Sequence, residues 1–126
     1  MVPARLTLRV RSKLMRHAHI DFKPPWERVS VKEKMRLEGE LAIERSLLHN
    51  LATVDCLAVA RRIDSDDVLF EITPHLCECA VVRLTWSEQV EMQPETPAFE
   101  IFATFDDWVQ ERMLPDYEIY RTQRRT

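Results

Sequence analysis

At 126 residues, 45% of them hydrophobic and 31% charged, the chain has the length and composition of one folded domain with one core. A single glycine, Gly39, excludes the glycine-rich loops that let a backbone approach phosphate in nucleotide enzymes. The net charge of −3 is segregated: residues 1–23 hold six cations against Asp21 alone, residues 121–126 hold three arginines, and residues 24–120 hold nine cations against twenty anions. An acidic body disfavours a nucleic-acid surface and leaves only the basic ends to meet phosphate or anionic lipid.

No apolar run is long enough for a membrane span, and the first twenty residues lack the continuous apolar block of a secretory signal. Cys56, Cys77 and Cys79 make an odd count, which suits a reducing compartment better than a disulfide framework. The expected location is the cytoplasm.

Residues 1–23 read as a basic arm. Leu6, Leu8 and Val10 alternate with Thr7, Arg9 and Arg11, as in an edge strand; the surplus of arginine also suits a targeting peptide, initiation at Met15 instead of Met1 would make the leader an artefact of start-site choice, and plain disorder is the remaining reading. Pro24 and Pro25 then break the chain. The expected organisation is this arm, one α+β domain over 24–120, and a basic tail over 121–126.

Ser30 and Glu33 form a capping box that opens a helix from Val31 to about Asn50. Leu37, Leu41, Leu48 and Leu51, widened by Ala42 and Leu47, make its inner stripe, with Gly39 on the outer side. Glu40 and Glu44, one turn apart, read as a solvated face.

Three strands follow in the period-two alternation of an antiparallel meander. Leu57 and Val59 face one way with Ala58 and Ala60 opposite; Val68, Phe70 and Ile72 alternate with Leu69, Glu71 and Thr73; Ala80, Val82, Leu84 and Trp86 alternate with Val81, Arg83 and Thr85. The turns are Asp64–Asp67 and Pro74-His75-Leu76. The expected sheet has one buried and one half-wet face. A fourth strand is expected over Phe99–Ala103, then a short helix capped by Thr104, with Phe105, Trp108, Val109 and Met113 inward and Leu114-Pro115 as its stop. The predicted fold class is therefore α+β: a three- or four-stranded antiparallel meander, one long N-terminal helix packed on it, and a short C-terminal helix.

The segment Ala80-Val81-Val82-Arg83-Leu84-Thr85-Trp86, the run Asp66-Asp67-Val68-Leu69-Phe70-Glu71, and Asp107-Trp108 followed by Met113-Leu114-Pro115-Asp116-Tyr117-Glu118 resemble a group of short bacterial proteins of unknown function. The resemblance covers residues 50–120 and implies a compact bacterial cytosolic domain. It brings no activity, cofactor or catalytic residue to transfer.

Two residue sets carry chemistry worth weighing. His17, His19 and Asp21 alternate so that two imidazoles and a carboxylate share one side of an extended segment, as in zinc hydrolases, but Phe22 stands where such a motif continues with histidine. His75, Cys77 and Cys79 alternate likewise and Cys56 offers a fourth ligand, against a Cys-x-Cys spacing that favours inert buried thiols. Trp26 and Trp108, with Tyr117 and Tyr120, are the candidate interface anchors; the competing reading places the tryptophans in the core. The expectation that follows is a non-enzymatic protein–protein interaction module that self-associates or inhibits a partner, with no cofactor. The alternative is a small metal-binding protein or metal-dependent enzyme built on either ligand set.

Overall fold

The computed structural model describes residues 16–45, 51, 53–73, 76–86 and 97–124. Five antiparallel strands, β1 (Trp26–Arg28), β2 (Asp55–Arg62), β3 (Asp67–Thr73), β4 (Cys79–Arg83) and β5 (Phe99–Phe102), form one sheet whose spatial order is the chain order. The meander holds, but among the described residues it has five strands where three or four were expected. The added strand, β1, follows the Pro24-Pro25 break and pairs Trp26 with Arg62 and Arg28 with Ala60. Three residues are too few to display alternation, so the sequence gives no period-two signal there.

Helix α1 (Val31–Glu44) begins where the cap motif places it: Ser30 Oγ accepts the Glu33 amide at 3.2 Å. It ends at Glu44 after 14 residues, shorter than expected, with Arg45 as its C-cap. Leu37 and Leu41 are buried against the sheet with Leu51, whereas Ala42 faces outward and does not widen the stripe. Leu47, Leu48, His49 and Asn50 lie outside the described residues.

The sheet is covered on both faces, which corrects the expected half-wet face. On one side α1 packs Leu37 and Leu41 against Ala58, Val68, Phe70, Ile72, Ala80, Val82 and Leu84. On the other, Val59, Ala60, Leu69, Cys79, Val81 and Phe102 meet Ile20, Trp26, Phe105, Trp108 and Met113. A register shift between Ala58 and Ala60 leaves Val59 without a partner on β3 and turns Val59 and Ala60 toward the same layer, so strict alternation fails at that point. The central strand β3 is buried at every residue from Asp67 to Ile72, as expected of a strand sandwiched between two helical layers. Full burial of Phe105 and Trp108 contributes about 2–3 kcal/mol each, so the second layer is a principal source of stability.

The C-terminal helix, whose Phe105, Trp108 and Met113 enter the second layer, does not stop at Pro115. Thr104 caps α2 (Phe105–Trp108) through Oγ1 at 3.0 Å from the Asp107 amide, and Glu78 Oε1 accepts the Phe105 amide at 2.9 Å. A π-helical turn, Val109–Met113, follows and the chain continues as α3 (Leu114–Arg124). In this turn the Leu114 amide reaches back to the Val109 carbonyl, five residues away. Proline in an α-helix lacks the amide and its ring collides with the carbonyl four residues back. The wider turn immediately before Pro115 opens that crowded position and lets the helix run through. Arg121 and Thr122 are therefore helical and continuous with the domain, and Ile20 belongs to the core, so neither expected boundary, 23/24 nor 120/121, is a structural break. Residues 1–15, with the expected edge strand and Met15, lie outside the described residues.

Candidate functional site

The first ligand set does not converge. His17 is half-buried, its ring 5.6 Å from that of Phe105, with Nδ1 3.0 Å from Arg28 Nη1. Arginine only donates, so Nδ1 is the acceptor and the proton of the neutral ring is on Nε2. Burial holds the His17 imidazole below its ordinary range, opposed by the charge of Glu71 and helped by Arg28 and Arg16. His19 is exposed and 3.4 Å from Asp106, and Asp21 is exposed and accepts from Lys23 Nζ at 2.7 Å. Three groups with three different partners do not make a binding site.

Of the second set, Cys79 is buried, and burial, reinforced by Glu78, pushes its thiol up to about 12; Cys56 is pushed up to about 11 by burial against the opposing charge of Arg45. Such thiols are protonated and inert at neutral pH. His75 lies outside the described residues. Among the described residues, no group of three or more His, Cys, Asp or Glu side chains is placed to hold a metal ion.

Two polar clusters on the C-terminal-helix face of the sheet went unrecognised in the sequence. At one end Asp67, buried on β3, receives Arg83 Nε at 2.8 Å and Nη2 at 3.2 Å, and Arg112 Nη2 at 3.2 Å. Asp116 accepts Trp26 Nε1 at 2.8 Å and pairs with Arg112 and Arg62 at 3.3 Å each. Burial alone would raise the Asp67 carboxyl, but the hydrogen bonds and charges of Arg83 and Arg112 outweigh it and hold the group below the usual carboxylate range. This cluster fastens α3 and the π-turn to the sheet. At the other end Arg16 lies 3.5 Å from the buried Glu71 and 3.8 Å from Glu78, fixing the segment ahead of β1 over the sheet. Cavities of about 310 and 480 Å³ lie beside Glu71 and Leu57.

Trp26 and Trp108 are also corrected as interface anchors. Their rings meet edge to face at 5.1 Å in the core, with Arg112 stacked 5.7 Å above Trp26, and both are almost fully buried. An indole buried in this way is not offered to a partner. Tyr117 and Tyr120 are half-buried on α3. No protein-family model matches the chain, and neither a curated protein nor a solved structure does.

Among the described residues, the outer side of α1 presents an exposed apolar row. Val31 is 77% exposed, Met35 71% and Ile43 45%. With Gly39 they fall at steps of four, one ridge along the helix opposite Leu37 and Leu41. A Cβ built at Gly39 meets nothing within 4 Å. Lys32 and Arg36 lie on the same outer side; Arg36 stacks 4.7 Å over the Trp86 ring. In the sequence the ridge is a second apolar row on a helix whose buried stripe is Leu37 and Leu41.

Proposed function

We propose that this protein is a non-enzymatic protein–protein interaction module. The observation that carries the reading is the apolar ridge Val31–Met35–Gly39–Ile43, held in water on the outside of a capped helix whose opposite side is anchored in the core. Isolated exposed hydrophobic residues are ordinary, but a row aligned along one helix is the form taken by helix-to-helix recognition. The acidic balance of residues 24–120 steers association with a basic partner and keeps the free domain soluble.

The test is native purification of the full chain from its own cells, with protein mass spectrometry and elemental analysis on one eluate. A stoichiometric protein that is lost when Met35 is replaced by Lys supports the reading. Stoichiometric transition metal with no protein partner overturns it and directs attention to His17, His19, Asp21, His75, Cys77 and Cys79.

A further inference from the structure

We infer that the uncovered edge of β2 is a strand-addition groove whose occupant is residues 6–11, the alternating segment of this chain's own basic arm. The groove lies along the sheet edge and is separate from the α1 ridge.

β1 covers only half of β2. It pairs with Ala60, Arg61 and Arg62, makes its last backbone bond from the Val29 amide to the Val59 carbonyl, and at Ser30 the chain leaves to begin α1. Residues Asp55 to Ala58 pair with β3 on one side and, among the described residues, with no strand on the other. The Ala58 amide points to this open side, where Glu38 reaches over from α1 to accept it at 2.9 Å. Hydrogen-bonding direction alternates along a strand, so the N–H and C=O of Cys56 point the same way. No described residue takes them. Such an edge is a ready template for another strand.

Two cavities run along the edge. One, of about 480 Å³, lies between Glu38, Arg45 and the start of β2; the other, of about 310 Å³, continues past Val59 to Val29 and His17; they meet at Leu57 and Glu71. Leu57 is 36% exposed at the junction. Beside it Glu71 Oε2, Arg16 Nε and Arg16 Nη2 are buried without a hydrogen-bond partner, three of the four such side-chain atoms among the described residues. Buried polar groups are nearly always satisfied, so their clustering marks a place where further chain packs.

The arm arrives at this junction. Arg16 lies 3.5 Å from Glu71, whose partner across the ladder is Leu57, and His17 lines the smaller cavity. Residues 12–15 therefore lead straight from the groove to the alternating segment. The chain from 11 to 16 reaches about 17 Å when extended, and the open edge from Asp55 to Ala58 is only about 10 Å long. Leu6, Leu8 and Val10 alternate with Thr7, Arg9 and Arg11. A strand of that pattern lays one apolar row over Leu57 and keeps its cations in water. So short a tether holds the segment at an effective concentration on the order of millimolar, which favours it over a free peptide.

Cysteine scanning of the full-length chain tests this. Each of positions 6–11 is replaced by Cys in turn, and mild oxidation is expected to give an intramolecular disulfide to Cys56 at one position, or at two positions two residues apart, identified by peptide mapping against Cys77 and Cys79. Amide exchange followed by NMR gives a second reading. The Cys56 amide should exchange slowly in the parent and at least about tenfold faster in Leu8→Asp, which puts a charge on the apolar row, with β3 and β4 protection unchanged. Cross-links at consecutive positions or at none, or a Cys56 amide equally fast in both proteins, overturns the inference. Disulfides that join two copies overturn it too, since the groove then takes a neighbour's arm. A Cys56 amide protected only when a different protein co-purifies refutes the arm as occupant and assigns the groove to that partner's strand.

Discussion

Replacing Glu44 tests the structure where it departs most sharply from a surface reading. Its carboxylate is fully buried beneath the end of the sheet, Oε1 accepting the Thr85 amide and Oε2 the Trp86 amide, both at 2.8 Å. Trp86 has φ of 57°, the left-handed region that a bulky side chain occupies only when its surroundings hold it there. Glu44→Ala removes both acceptors at once. A buried amide left without a partner costs about 1–3 kcal/mol; because Thr85 is exposed and water can reach its amide, the expected total lies at the lower part of the doubled range, about 2–4 kcal/mol. For a domain of this length that corresponds to a fall in Tm of about 8–15 °C. Glu44→Gln keeps one carbonyl acceptor and should lose about half as much, about 1–2 kcal/mol. Urea unfolding monitored by tryptophan fluorescence, with m unchanged, gives the comparison. A Glu44→Ala variant within about 0.5 kcal/mol of the parent, the size expected for a solvated helix position, would refute the buried-clasp description.

Gly39→Ala should stabilise the monomer by about 0.4–1 kcal/mol, since it lowers unfolded-chain entropy at a helical position with open space around it; a loss of stability in chemical denaturation at low micromolar concentration would show that the space is filled. Acid should weaken the fold in two stages. His17 has a lowered folded-state pKa, so as pH falls below 6.5 the unfolded chain takes up its proton first and stability declines; this stage should be absent from His17→Gln. Asp67, held below 3.8, contributes fully above that value and loses its contribution as pH falls through it, a stage that Asp67→Asn removes from a profile of stability against pH. Cys79 should resist a thiol reagent at pH 8 until the protein is unfolded in urea; fast modification of the native chain, mapped by mass spectrometry, would contradict its burial and its raised pKa.

The sheet was legible because β2, β3 and β4 are short apolar runs rich in Val, Leu, Ile and Phe set between polar turns, and the caps at Ser30 and Thr104 were legible because each uses a short, local motif. What escaped was set by tertiary context. Asp67 and Glu71 interrupt the apolar run of β3 and read as one wet face, yet arginines from Arg16, Arg83 and Arg112 make their burial tolerable. Pro115 reads as a stop because local sequence does not announce the π-turn that accommodates it. Glu44 stands one turn from Glu40 in a spacing shared with countless solvated helices; only the fold brings the Thr85 and Trp86 amides above it. The site residues fared likewise. Spacing aligned His17, His19 and Asp21, but a turn over 16–19 and separate partners dispersed them.

The coincidence of strand order with chain order bears on how the protein is made. Each ladder from β2 to β5 joins neighbours along the chain, so strand pairing proceeds in the sequence in which a ribosome releases the strands and needs few long loop closures. Phe105, Trp108 and Met113, which cover one face, follow the five described strands in the chain. Until they are released, Leu69, Val81 and Phe102 lack Phe105, Trp108 and Met113 as cover, so the nascent chain exposes more apolar sheet surface before residues 105–124 appear than after.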